Sequence, residues 1–120
     1  MTFDAISEYP KKAALIIDNM VASSGEQSVL NTRLVSHRTT IYGRDNTMGC
    51  IDTGNCQIFE SARKPLVVQY STTYSMRYEK GTAVDFTGIS PDVRITLPYP
   101  KQLTDNIDEW VLWVAEDLKN

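Results

Sequence analysis

The sequence predicts a single α/β domain built on a βαβ unit, and three observations carry that reading. Ala13 to Ile17 is an unbroken apolar run bounded by Lys12 and Asp18, the pattern of a strand covered on both faces. Ser24 to Leu34 then has helical spacing, and Thr39 to Tyr42 is β-branched and aromatic, ending at Gly43. Strand, helix and strand within about thirty residues imply a right-handed parallel crossover.

The bulk numbers fit one globular domain. The chain has 120 residues, 42% hydrophobic and 22% charged, which argues against disorder. A net charge of −3 and twelve scattered Lys and Arg give no basic field, so no nucleic-acid partner is expected. No apolar run approaches a membrane span, and Met1 to Lys12 does not have the layout of a signal peptide, so a soluble chain is expected. The two cysteines, Cys50 and Cys56, form no Cys-x-x-Cys, and the single histidine, His37, is far from them in sequence. No metal site and no cofactor are expected. The short loop between the thiols leaves both free and paired forms open.

The elements follow in order. Met1 to Pro10 is a polar lead-in. The helix from Ser24 places Val29, Leu30 and Leu34 on one face. Arg44 to Asn55 is a long polar loop with Gly49 and Gly54. Three short strands are expected next, at Gln57–Ser61, Pro65–Tyr70 and Thr72–Tyr78, with a tight reversal or bulge at Ser71–Thr72. Glu79 to Asp92 is loop, and Val93 to Leu97 alternates as a half-exposed edge strand stopped by Pro98 and Pro100. Asp105 to Leu118 is an amphipathic helix capped by Thr104 or Asp105, with Ile107, Trp110, Val111, Val114 and Leu118 on one stripe. Trp113 falls off that stripe and is expected to face a partner.

The chemistry centres on Ser23. Ser23-x-x-Glu26 is a capping box by pattern. A serine at a strand-to-helix junction is also where an acyl-transfer nucleophile sits, with the Ser24 amide and the helix N-terminus ready to stabilise an oxyanion. Such a nucleophile needs a base. His37 follows the helix by sequence, about one helix length from Ser23, and does not reach it. Asp52 and Asp85 sit in the two glycine-containing loops, where carboxylates are solvated or turn-forming unless one orients a catalytic group. Nothing in the sequence near Cys50 lowers its pKa.

The order of motifs adds a resemblance. An apolar strand, Val21-Ala-Ser-Ser-Gly-Glu26, a helix, Ile41-Tyr-Gly-Arg-Asp-Asn-Thr-Met-Gly49 and Gly88-Ile-Ser-Pro-Asp-Val93 follow one another. This resembles the C-terminal half of the catalytic domain of the S41 family of serine peptidases, over Lys12 to Leu97. That family includes the C-terminal processing, tricorn-like and retinoid-binding-protein-like members. The resemblance implies a partial β-β-α superhelix of the ClpP/crotonase type, with a mixed sheet, one central helix and a C-terminal helix. It implies Ser23 as nucleophile, the Ser24 amide as oxyanion donor and Asp85 as the nearest counterpart of an orienting carboxylate. Arg44 stands where the family has glutamate, and Cys50 where the processing proteases carry their lysine base. The general base and the rest of the oxyanion hole are then expected in an upstream part of the domain, absent from this chain. The partners implied are a peptide or protein substrate and that upstream part, and the parent is expected to be extracytoplasmic. Two other readings stay open: a non-catalytic peptide- or glycan-binding module on the same fold, and a structural domain that forms a homo-oligomer.

Overall fold

The computed structural model describes residues 9–62, 66–101 and 107–119. The order of elements is β1 (Ala13–Ile17), α1 (Ser24–Val35), β2 (Thr39–Gly43), β3 (Thr53–Glu60), β4 (Val67–Tyr74), β5 (Val93–Arg94) and α2 (Glu109–Asp117). The architecture is mixed α/β. β1, β2 and β5 form a parallel sheet in the order β1-β2-β5, with Leu15 opposite Ile41 and Tyr42 opposite Val93. The βαβ unit is present as expected.

The apolar run of β1 is covered on both faces because its alternate residues enter two cores. Ile17 and Leu15 pack with Ile41, Ile89 and with Val29 and Leu30 of α1. Ala14 and Ile16 pack with Tyr42, Ile95 and with Trp110 and Val114 of α2. The two helices therefore lie on opposite faces of the sheet. Leu34 does not join the α1 face, being 80% exposed, since the helix ends one residue later beyond the reach of the sheet. Trp113 does not face outward. It packs on the second core, its ring edge-on to Tyr42 at 6.3 Å between centroids. Asp108 caps α2 by accepting from the Val111 amide at 2.9 Å; Thr104 and Asp105, the expected caps, lie outside the described residues.

The strands do not make one mixed sheet. β3 and β4 pair antiparallel as a separate two-stranded ribbon, with Gln57 opposite Tyr70 and Glu60 opposite Val67. The reversal falls between Glu60 and Val67 rather than at Ser71–Thr72, which lies within β4. Serine and threonine suit turns, but threonine is β-branched and suits a strand equally well. β4 is exposed along its whole length, and the ribbon has no substantial packing on the sheet or helices. The Cα radius of gyration is 18.7 Å, against about 14 Å for a compact chain of this length. No helix among the described residues is long and apolar enough to cross a membrane.

Candidate active site

The site forms at the C-terminal end of β1, where ligands bind in open parallel sheets. Asp18 closes the turn out of the strand, its Oδ1 accepting the amides of Met20 (2.9 Å) and Val21 (3.1 Å). Ser23 follows with φ 50° and ψ −112°. A left-handed φ at a non-glycine residue is strained, and such strain collects at functional positions. A sharp strand-to-helix turn is also where α/β-hydrolases expose their nucleophilic serine. Ser23 and Glu26 form a capping box across the first turn of α1, with the Glu26 carboxylate accepting the Ser23 amide at 3.1 Å. The side chain is exposed at the start of α1. The Gly25 amide is taken by the Ala22 carbonyl at 2.9 Å, while the Ser24 amide is among the first-turn donors that no helix carbonyl can use.

Glu26 is the hub beneath this turn. It is fully buried. Its Oε1 accepts the Thr47 hydroxyl (2.6 Å) and the Gly49 amide (2.7 Å), and its Oε2 accepts the amides of Cys50 (2.9 Å) and Ser23 (3.1 Å). Burial pushes the carboxyl up, but the bonds from Thr47, Cys50, Gly49 and Ser23 together hold it below its ordinary value. Because the Ser23 and Cys50 amides share one oxygen, their nitrogens lie within about 6 Å of each other.

The third motif locks onto the second. The Thr47 amide donates to the Ile89 carbonyl (3.1 Å), and the Ile89 amide donates to the Thr47 hydroxyl (2.7 Å). Gly88, at φ +67°, allows this approach: a Cβ there would stand 2.0 Å from the Thr47 carbonyl oxygen. The three sequence motifs thus converge on one place, Ser23 to Glu26, Thr47 to Cys50 and Gly88 to Ile89.

Asp85 belongs to an adjoining brace. Its Oδ1 accepts the amides of Ile51 (2.7 Å) and Asp52 (2.6 Å), and its Oδ2 accepts the amide (3.0 Å) and hydroxyl (2.8 Å) of Thr53. Asp52 answers in the other direction, accepting from Ser75, Arg77 and the amides of Val84 and Asp85. For both acids burial acts upward and is overcome. The opposing bonds come chiefly from Ser75, Val84 and Arg77 at Asp52, and from the Asp52, Thr53 and Ile51 amides and the Thr53 hydroxyl at Asp85. Each carboxyl sits below its ordinary value. Asp85 is not hydrogen-bonded to Ser23.

His37 is exposed just past the end of α1, at the opposite end of the helix from Ser23. Arg44 is exposed, with its guanidinium 5.5 Å from the centre of the Tyr99 ring. The Tyr99 hydroxyl donates to Asp45 at 2.7 Å. A cavity of about 220 Å³, lined by Ile17, Asp18, Val21, Tyr99 and Trp110, opens beside the Ser23 turn. Both cysteines are free and exposed. No group of acids, cysteines and histidine suited to a metal occurs among the described residues.

Sequence reasoning missed the hub role of Glu26, the Thr47 link and the Asp52–Arg77 pair. Glu26 carried only a capping signal, and the partners of all three are distant in the chain. No protein-family model, no curated protein and no solved structure matches this chain.

Proposed function

We propose that this chain is the nucleophile-bearing part of a serine-type peptidase of the processing-peptidase kind, on a ClpP/crotonase-type fold. The observation that carries the reading is the Ser23 backbone, held at φ 50° and ψ −112° in the turn that enters the N-terminus of α1. In this mechanism the Ser23 hydroxyl attacks the scissile carbonyl. The Ser24 amide and the α1 N-terminus stabilise the oxyanion that develops. The cavity between Val21 and Trp110 is placed to take a substrate side chain. Asp85 orients the site through the 51–53 backbone it holds. By the resemblance Cys50 takes the position of the lysine base, and His37 is exposed at the far end of α1, so this reading assigns the base and the second oxyanion donor to the upstream part of the domain that the resemblance implies.

A fluorophosphonate probe is expected to label Ser23 in the full-length parent, with labelling lost in Ser23→Ala. The 120 residues alone are expected to label very slowly or not at all. A folded parent that takes no label at Ser23 rejects the reading. Cys50 at the lysine position favours one alternative, a peptide-binding module without catalysis. That module would leave Ser23 unlabelled and bind peptide equally well in Ser23→Ala.

A further inference from the structure

The cavity beside the Ser23 turn holds about 220 Å³, less than the roughly 300–1,000 Å³ of small-molecule pockets. That is room for one side chain rather than a drug-sized ligand. It opens at the C-terminal end of β1, and Val21, two residues before Ser23, is part of its lining.

Three kinds of surface meet there. Ile17 and Val21 are aliphatic. Tyr99 and Trp110 are aromatic neighbours, their ring centroids 5.0 Å apart and their planes tilted by 37°. Asp18 and Asp108 supply two carboxylates. Each carboxylate gives one oxygen to the backbone. Asp18 Oδ1 accepts the Met20 and Val21 amides, and Asp108 Oδ1 accepts the Val111 amide. The second oxygen of each takes no hydrogen bond from a described residue. No lysine, arginine or histidine is among the described lining residues, and Arg44, 5.5 Å from the centre of the Tyr99 ring, is not one of them.

Charge and shape together select the occupant. Two carboxylates repel an anion. A purely apolar occupant would strip them of water and return no cation, which is costly. An ammonium or guanidinium on an aliphatic stem meets all three surfaces. Its stem covers Ile17 and Val21, its charge reaches the open carboxylate oxygens, and aromatic rings favour a cation.

We propose that this cavity binds the basic side chain, lysine or arginine, of a peptide. That the peptide is a substrate rests on the peptidase reading; the binding itself does not.

Binding is measured on the chain carrying Ser23→Ala, so that hydrolysis does not enter. The Trp110 indole N–H, bonded to the Pro98 carbonyl at 2.8 Å, is followed by proton–nitrogen NMR during titration with N-acetyl-lysine N-methylamide. A saturable shift is expected, about tenfold tighter than with the norleucine analogue, which keeps the stem without the charge. Asp18→Asn and Asp108→Asn each keep an acceptor oxygen for the backbone amides, so the turn and the cap persist. Each is expected to weaken lysine binding about threefold and to leave norleucine binding unchanged. Equal binding of the two probes, indifference to both substitutions, or no saturable shift overturns the proposal. Tighter binding of n-butylammonium than of the lysine probe assigns the cavity to a free amine and overturns it as well. A parent that binds the lysine probe but takes no fluorophosphonate at Ser23 keeps this site and rejects the peptidase. A parent that labels at Ser23 but binds no lysine probe does the reverse.

Discussion

The parallel sheet and the ribbon both carry apolar strand residues, unbroken in β1 and alternating with polar ones in β4, and their fates are opposite. β1 enters a core on each face, while β4 is exposed along all eight residues. The difference lies in the connections. A parallel pair requires a crossover, and the crossover here is α1, which returns over one face as a covering layer. α2 covers the other. An antiparallel pair needs only a short reversal, and that brings no layer with it. Apolar content and topology act together: the wholly apolar β1 is the strand that the crossover helix and α2 cover, and the half-polar β4 is the one left without a layer. The two regions also use carboxylates differently. Glu26 ties three segments of the core together, whereas Asp52 and Asp85 brace the base of the ribbon to the 84–85 turn.

The contrast is broken most severely in the core, at Gly88. Gly88→Ala adds a Cβ 2.0 Å from the Thr47 carbonyl at a positive φ, and is expected to cost about 3–5 kcal/mol in urea unfolding. Gly81→Ala, also at positive φ but with nothing within 4 Å, is expected to cost about 1–2 kcal/mol. Equal costs would mean that the packing of Gly88 on Thr47 carries nothing.

Glu26→Gln comes next. The amide keeps the size of the carboxylate but turns an amine toward a set of donors, the Thr47 hydroxyl and the amides of Ser23, Gly49 and Cys50. The expected loss is about 2–4 kcal/mol by chemical denaturation. Cys50 should also react faster with a thiol reagent as its loop loosens. Unchanged stability would remove Glu26 from the centre of the core.

Acid should loosen both regions. Glu26, Asp52 and Asp85 all have carboxyls held below their ordinary values of 4.5, 3.8 and 3.8. A lowered folded-state pKa means that the unfolded chain binds protons first. The stability these groups contribute is complete above the ordinary values. It is lost as pH falls through them and then through the folded-state values. The melting temperature is expected to be flat near neutrality and to fall steadily below about pH 5. Glu26→Gln is expected to make that fall shallower, and an unchanged slope would count against the Glu26 bonds.

The core was legible in the sequence because its signals are local. Lys12 to Asp18 reads as a strand buried on both faces, and Ser24 to Leu34 as the helix that follows it. The ribbon was half legible. Its strand content shows in Val67 to Tyr74, but register is set by partners across the sheet, and Ser71-Thr72 carries turn and strand preferences together. Trp113 was misread because a stripe counted along one helix ignores the neighbour that receives its ring, here Tyr42. At the site, Ser23 and its strand-to-helix place were readable. The burial of Glu26 and the saturation of Asp85 by backbone amides depend on contacts with segments more than twenty residues away, which no local pattern encodes.

The smallest effect expected is in the ribbon, and it tests the comparison directly. Phe59 is large and apolar, and its burial in a core would make truncation cost about 3–5 kcal/mol. On the ribbon it is 61% exposed. Phe59→Ser is therefore expected to change unfolding stability by less than about 0.5 kcal/mol, measured at concentrations where the chain is monomeric. Amide exchange should agree, with β3 and β4 opening well before β1 and β2, since few buried apolar contacts protect them. A loss of several kcal/mol, or ribbon amides as slow as those of β1, would mean that the ribbon is packed within a single chain. The contrast between the two regions would then fail.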